Sequence, residues 1–319
     1  MRARRRILAG EDRSGLAHDN DHSPRNVYVQ PSPHPRARIC CRALMKLAEY
    51  QDLYSKLETA EDIDFLAENA GYDRELLLVI HTQRVVRDTT KRFYRVKDQV
   101  RRLAHQWRSG QSFVEIARNI AFPPTLTALM ILEQQKVPRK QFWRYITDPT
   151  KVGDPKLRRE LEEVARADII YSPEGSAKQY ERGRWGESKL FAWLDERAIE
   201  YRTEKDLRKQ YEKTPDTLLK TPIEWDGSKK FWIESKATFG DPVEIRRHIR
   251  KQLLPYTDMF GDGLVVYWFG YTEDVDHRPP EGVTIADGSA FDEGGEISVA
   301  VPKLAPEVVT VRPASDRVP

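Results

Sequence analysis

The stretch "KTPDTLLKTPIEWDGSKKFWIESKATFGD", residues 213–241, decides the fold. Two runs rich in strand formers, "TLLKTPIEW" and "KFWIESKA", flank "DGSK". An Asp-Gly pair between such runs signals a hairpin, because both central residues of the tightest turn need positive φ. Along the second arm, alternation puts Trp232, Glu234 and Lys236 on one face. Phe231, Ile233, Ser235 and Ala237 take the other. Asp216 opens the first arm, and Glu234 and Lys236 end the second, so antiparallel pairing makes the three neighbours. Charges set where a core belongs need a reason. Two carboxylates at one point repel, and a hard divalent cation such as Mg²⁺ relieves that with oxygen ligands and retained waters. A cation beside a lysine suits phosphate oxygens, an attacking water and the charge of a transition state. The spacing points to phosphodiester cleavage.

The flanks extend the pattern. "GDPVEIRRHIRKQLLPY" reads as a helix with Asp241 as N-cap, Pro242 at its first position and Glu244 in its first turn. It is predicted to end near Pro255. Arg246, Arg247, Arg250 and Lys251 make it basic, and Gln252 and Tyr256 share a face at i, i+4. "GLVVYWFGY", residues 263–271, is apolar throughout, as a central strand buried on both faces requires. Upstream, "GRWGESKLFAWLDERAI" predicts a helix near 184–198. Its apolar face carries Glu187 beside Leu190, Phe191, Leu194 and Ala198. A carboxylate aimed at a core needs a metal, a base or a donor, unless a rim Lys or Arg partners it. "IEYR", residues 199–202, is a short strand. The order is helix, strand, strand, strand, helix, strand.

Residues 46–145 read as helical. Thr59 with Asp62, and Ser112 with Glu115, form capping boxes; Asp73 caps another helix. Residues 81–110 hold nine Lys/Arg and two acids. Val85, Val86, Phe93, Val96, Val100, Leu103, Ala104 and Trp107 share one face; Arg84, Arg87, Lys91, Arg95 and Arg102 form a stripe roughly opposite. The stripe suits a phosphate backbone or a solvated face. Two helices around "FPP" resemble a helix-turn-helix, a weak pattern in any small bundle. "TDPTKVGDP", residues 147–155, marks a linker. Residues 1–44 carry nine arginines against four acids and read as a disordered basic tail. Met45 opens the first helical pattern and is a candidate native start, with the tail a gene-model extension. The C-terminal segment, with "VVTV", predicts an appended hairpin and a loose end.

Charged residues make up 32% of the 319-residue chain, and no apolar run approaches the 18 residues of a membrane span. The N-terminus has no sustained apolar segment of a secretory signal. Two adjacent cysteines, Cys40 and Cys41, make neither a disulfide framework nor a structural zinc site. The expected compartment is the reducing cytoplasm, or a nucleus.

Asp216 followed by Glu234-x-Lys236 on this element order resembles the PD-(D/E)xK nuclease superfamily. More narrowly, "TPD" at 214–216, "WIESKATFGD" at 232–241 and "GLVVYWFGY" are similar to the TPD-motif family, that of the codanin-interacting nuclease and its archaeal relatives. The resemblance spans about Met45 to Tyr271. It implies an α/β protein with a restriction-endonuclease-like αβββαβ core at the C-terminal side, preceded by an all-α, helix-turn-helix-like domain. The divisions expected are a tail at 1–44, a nucleic-acid-binding helical domain at 45–146, a linker and connecting helix at 147–166, a nuclease-like domain at 167–312 and a loose end at 313–319. It implies Asp216 and Glu234 as ligands of Mg²⁺ (or Mn²⁺), with the Ser235 carbonyl beside them. Lys236 would serve the scissile phosphate or the attacking water, and Glu187 would be the first-helix acid. Gln252 and Tyr256 would support the lysine and substrate. Nucleic acid is the expected partner, DNA ahead of RNA, gripped by Arg84, Arg87, Lys91, Arg95 and Arg102, or by Arg246, Arg247 and Arg250. A homodimer and a protein partner stay open by resemblance. An adaptor that kept the fold without turnover is the competing reading, since it would need only the surfaces.

Overall fold

Asp226 and Gly227 take φ of 52° and 71°, and Trp225 pairs with Ser228 across them. The two-residue turn is therefore present in the structure, a computed structural model that describes residues 44–273 and 279–292. The expected tail (except Leu44), the "VVTV" hairpin and the C-terminal end lie outside the described residues.

In chain order the elements are β1 (Leu44–Met45), α1 (Leu47–Lys56), α2 (Ala60–Ala70), α3 (Arg74–Asp98), α4 (Val100–Arg108), α5 (Phe113–Asn119), α6 (Pro124–Gln134), α7 (Arg139–Thr147) and α8 (Pro155–Ala167). Then come α9 (Pro173–Glu196), β2 (Tyr201–Thr203), α10 (Glu204–Leu207), β3 (Thr217–Trp225), β4 (Ser228–Lys236), α11 (Pro242–His248), α12 (Leu254–Phe260), β5 (Gly263–Tyr267), β6 (Tyr271–Thr272) and β7 (Val283–Asp287). The protein is α/β, with a five-stranded mixed sheet in the order β2-β3-β4-β5-β7. β2, β3 and β4 run antiparallel; β4, β5 and β7 run parallel. The predicted succession appears as α9, β2, β3, β4, α11 and β5, with α10 inserted and β7 added.

Period-two alternation divides the sheet's two cores. Ile233, Leu264 and Val266 pack under α9 with Leu190, Trp193 and Leu194. Trp232, Val265 and Tyr267 pack on the other side with Ile245, Leu253, Tyr256 and Phe260. Every residue of β5 is buried, as a central strand requires. Gly263 is needed there: a Cβ would sit 1.9 Å from the Trp232 indole.

The connecting helix expected within 147–166 appears as α8, and two other expectations need correction. Asp154 caps α8 through Lys156 N at 2.8 Å, and Val152, Leu161 and Val164 are buried in one core with Phe93, Leu103, Phe113, Leu129 and Phe142. The Pro and Gly signals marked real turns, yet those turns fold back onto the bundle. The helix bearing Glu187 begins at Pro173, with Ser172 as N-cap, rather than near 184. The basic run 81–110 is divided between α3 and α4 at Gln99.

α3 runs past two cores. Its first half joins α1 and α2 through Leu77, Val79 and Ile80, in a cluster that also takes Phe239 from beyond β4. Its second half joins the bundle core through Phe93 and Val96. Among the described residues no helix is long and apolar enough to cross a membrane.

Candidate active site

Register brings the hairpin's charges together. Thr217 pairs with Ile233, so Asp216 stands beside Glu234 at the sheet's end. The Asp216 amide donates to Glu234 Oε2 at 3.1 Å, and the Ser235 amide donates to Asp216 Oδ2 at 2.9 Å. Lys236 Nζ donates to Glu234 Oε1 at 2.7 Å and to Gln252 Oε1 at 2.7 Å. The Glu234 and Lys236 side chains are only 4% and 13% exposed, so the lysine is held rather than sampling solvent.

Burial, then the Glu234 carboxylate, pushes the Asp216 carboxyl well above the usual range; Lys236 and the Ser235 amide pull the other way, and Glu187 adds to the rise. Repulsion outweighs the one lysine. The site is short of positive charge, and its donors are oxygens. That fits a small hard cation held by Asp216 and Glu234 with retained waters. Among the described residues no group of three or more His, Cys, Asp or Glu is placed to hold an ion, so no all-protein cage is built and Glu187 enters as a nearby charge. α9 comes this close because residue 186 is glycine: a Cβ would lie 2.7 Å from the Trp268 indole and 3.0 Å from Ser235 Oγ. Trp268 Nε1 donates to that same Oγ at 2.8 Å.

Gln252 reaches the lysine through a distortion. Residues Ile249–Leu253 form a π-helical turn between α11 and α12, and Pro255 lies inside the continuing helix. Proline has no N–H for the carbonyl four residues back. Lys213 Nζ takes that place, donating to the Lys251 carbonyl at 2.8 Å. The helix therefore does not end near Pro255 as predicted. π-turns often sit at functional sites, and this one carries Gln252. Tyr256 is 3% exposed and packs edge-on against Trp232 at 5.4 Å.

The basic stripe divides. Arg84 donates to the Tyr54 and Ser55 carbonyls and pairs with Glu58 at 2.9 Å. Arg87, with a 14% exposed side chain, is ion-paired to Asp241 and to Glu244, the latter at 2.9 Å. Both are paired within the protein; helical spacing gave their direction but not the groups across from them. Lys91, Arg95 and Arg102 are exposed. Arg95 and Arg102 line a cleft of about 370 Å³ with Arg92, Gln99 and Asn119. Arg92, outside the predicted set, donates to the Ile120 and Ala121 carbonyls at the end of α5. On α11, Arg247 turns toward Glu244, whereas Arg246 there and Arg250 in the π-helical turn are exposed.

The family model described as "Protein of unknown function TPD sequence-motif" matches residues 153–289. Proteins named CDAN1-interacting nuclease 1 are similar to this chain. The one from Danio rerio is 33% identical over 187 residues, covering 56% of this chain and 62% of its own length. Those from Xenopus laevis and Homo sapiens are 32% and 30% identical, covering 55% and 54% of this chain and 60% and 64% of their own. The chain thus spans less than two thirds of these relatives. No solved structure gave a significant match.

Proposed function

With residues 153–289 as a TPD-motif region, we propose that the protein is a metal-dependent nuclease of PD-(D/E)xK type that hydrolyses phosphodiester bonds in DNA. The observation carrying this reading is the meeting of Asp216, Glu234 and Lys236 at one sheet end, with the lysine tethered by Gln252. The relatives' name supports it at the level of "nuclease". Asp216 and Glu234, with the Ser235 carbonyl, would hold Mg²⁺ or Mn²⁺. A bound cation there would activate water and offset charge on the phosphate. Lys236 contributes its own charge. Its ammonium binds a phosphate oxygen and stabilises negative charge that grows during attack, an interaction that raises turnover more than affinity. Glu234 and Gln252 aim it. Glu187 adds a carboxylate from α9 and keeps the site's demand for a cation high. Lys91, Arg95, Arg102, Arg246 and Arg250, all exposed, would hold the DNA backbone. The bundle around α5 and α6 serves as the helix-turn-helix-like grip, and the sheet with α9 and α11 as the restriction-endonuclease-like core. Structured or branched DNA is included by resemblance to the family. A protein partner is proposed from the relatives' name alone, and a cytoplasmic location from the cysteine usage.

The test is a panel of labelled substrates: duplex, flap, fork, four-way junction, single strand and RNA, each with Mg²⁺, Mn²⁺ or chelator. The expected result is metal-dependent cutting of DNA that Glu234→Ala abolishes. No cutting of any substrate, or equal cutting by the variant, overturns the reading and favours an adaptor of the same fold.

A further inference from the structure

We infer that Arg87, on the helical half of the chain, is a positioning residue for Lys236. It anchors one end of the helical segment whose other end carries Gln252. The inference rests on the nuclease reading for its consequence in turnover, but its geometry stands separately.

Gln83 and Arg87 lie one turn apart on α3 and close on the same loop, more than 150 residues away in sequence. Gln83 grips the backbone of Phe239 in both directions, donating to its carbonyl at 3.0 Å and accepting from its amide at 3.2 Å. Gln83 Nε2 and Arg87 both reach Oδ2 of Asp241. Oδ1 of the same carboxylate caps α11, accepting from Val243 N at 2.8 Å and Glu244 N at 3.2 Å. Arg87 Nε and NH2 also donate to Glu244 Oε1, at 3.2 and 2.9 Å. One guanidinium thus holds the cap and the first turn of α11 at once. A planar fork does that in a fixed geometry that a flexible ammonium matches only in part. The two carboxylates are 1% and 4% exposed, so no solvent substitutes for the arginine.

Two routes lead from this clamp to the lysine. Along the helix, α11 runs into the π-turn and Gln252, which accepts from Lys236 Nζ. Across the helix, Glu244 faces Arg247 and His248, and His248 Nδ1 lies 3.0 Å from the Tyr267 hydroxyl. Tyr267 is the β5 partner of Lys236 in register. The loop is pinned on its far side as well: Gly240 bridges to Tyr271 in β6, which pairs with β1 at the start of the helical half. The helical half is therefore part of the catalytic unit, beyond any part it plays in holding substrate.

The experiment reads the lysine directly. Arg87→Met, Arg87→Lys and, as control, Gln252→Ala are treated with an amine-acylating reagent, well below each variant's Tm. Modification of Lys236 is followed by peptide mass spectrometry. In the wild type, a lysine held by Glu234 and Gln252 reacts slowly. Both Arg87 variants are expected to speed its modification several-fold, as Gln252→Ala does. A merely structural arginine would lower Tm and leave that rate alone. In single-turnover cleavage, kcat should fall about 10-fold or more with KM little changed, since small misplacements of a catalytic group are costly. Arg87→Lys should recover part of the loss. Should Arg87→Met fail to fold, Arg87→Lys carries the test by the same reading. Unchanged Lys236 reactivity in a folded variant overturns the inference. If the wild type cuts nothing, the nuclease reading fails, and the labelling still decides whether Arg87 positions the lysine.

Discussion

The hairpin and the basic helix are both runs of charge in the sequence, and they resolve in opposite ways. At the hairpin, Asp216, Glu234 and Lys236 come from two strands and meet within hydrogen-bond distance. On α3 and α4, five cations share one predicted stripe and separate into two groups. Arg84 and Arg87 turn into the protein, while Lys91, Arg95 and Arg102 stay outside. The difference lies in what faces each run. A hairpin faces itself, so its turn and register dictate the neighbours. A helix face meets whatever the rest of the chain supplies, and here it supplies Asp241 and Glu244 to one half only. Charge density alone therefore does not identify a binding surface; a charge is available to a ligand only when the fold has not already paired it.

The largest effect expected is at the converged site. Lys236→Ala should lower single-turnover cleavage by roughly 10² or more, the order seen on losing one donor to a growing negative charge. Substrate affinity should stay within a few-fold. A binding isotherm beside the rate decides this; equal rates for variant and wild type would break the claim that convergence means catalysis.

Next comes the charge imbalance. Burial and Glu234 raise the Asp216 carboxyl above its ordinary 3.8. The folded state therefore holds this proton more tightly than the unfolded chain. The stability this group contributes is complete below about 3.8 and is lost as pH rises through the folded value. Above the folded value and without metal, the ionised Asp216 burdens the fold. Asp216→Asn should raise Tm in chelator, by about 2–4 °C per kcal/mol relieved. The variant should also lose the stabilisation that Mg²⁺ gives the wild type by linkage. A melting curve in chelator that falls on mutation would contradict the electrostatic account.

A smaller effect lies behind the site. Burial, then the charges of Lys236 and Arg247, holds His248 well below the ordinary 6.5. Here the unfolded chain is the better proton binder. Stability is complete above about 6.5 and declines as pH falls from there toward the depressed folded value. His248→Gln should melt lower near neutrality, because the contact with Tyr267 is disturbed, and should show a shallower loss of Tm below 6.5. Parallel curves for variant and wild type would mean that another group titrates.

What could be read beforehand follows the same division. The "DG" turn, the alternation of β4, the buried β5 and the capping residues Asp73, Ser112 and Asp241 all depend on neighbours a few residues away, and all are found where expected. The contact of Gln252 with Lys236 came from the family resemblance, not from its spacing to Tyr256. Long-range partnerships were not legible. Pro255 correctly signals a missing donor, but nothing local shows that Lys213 reaches the Lys251 carbonyl and lets the helix continue. Gln83 and Arg87 look like ordinary polar residues of a basic helix until Phe239, Asp241 and Glu244 arrive from the other half. Residues 147–155 have a linker's composition, and only tertiary packing shows Val152 buried.

The smallest effect tests the divided helix itself. Each phosphate contact on duplex DNA releases counterions and adds about 0.9 to the slope of log affinity against log salt. Arg95 and Arg102 are exposed and border the same cleft, and Arg102 gives up only an exposed bond to Gln99 to contribute one such contact. Arg84 already donates to two carbonyls and a carboxylate, and a phosphate would have to break those bonds to reach it. Changing Arg95 and Arg102 together to Gln should therefore lower the slope by about 1–2 and weaken binding at low salt more than at high. Arg84→Gln should leave the slope unchanged and reduce Tm slightly, because its partner Glu58 is mostly exposed and such pairs contribute about 0–1 kcal/mol. Titrations of a labelled duplex across a salt series measure all three slopes. If Arg84→Gln flattens the line and the Arg95/Arg102 pair does not, the intramolecular bonds of Arg84 give way to DNA and the division of the stripe is wrong. If none of them moves it, the grip lies on α11 and the π-turn after it, and Arg246→Gln with Arg250→Gln should then carry the change.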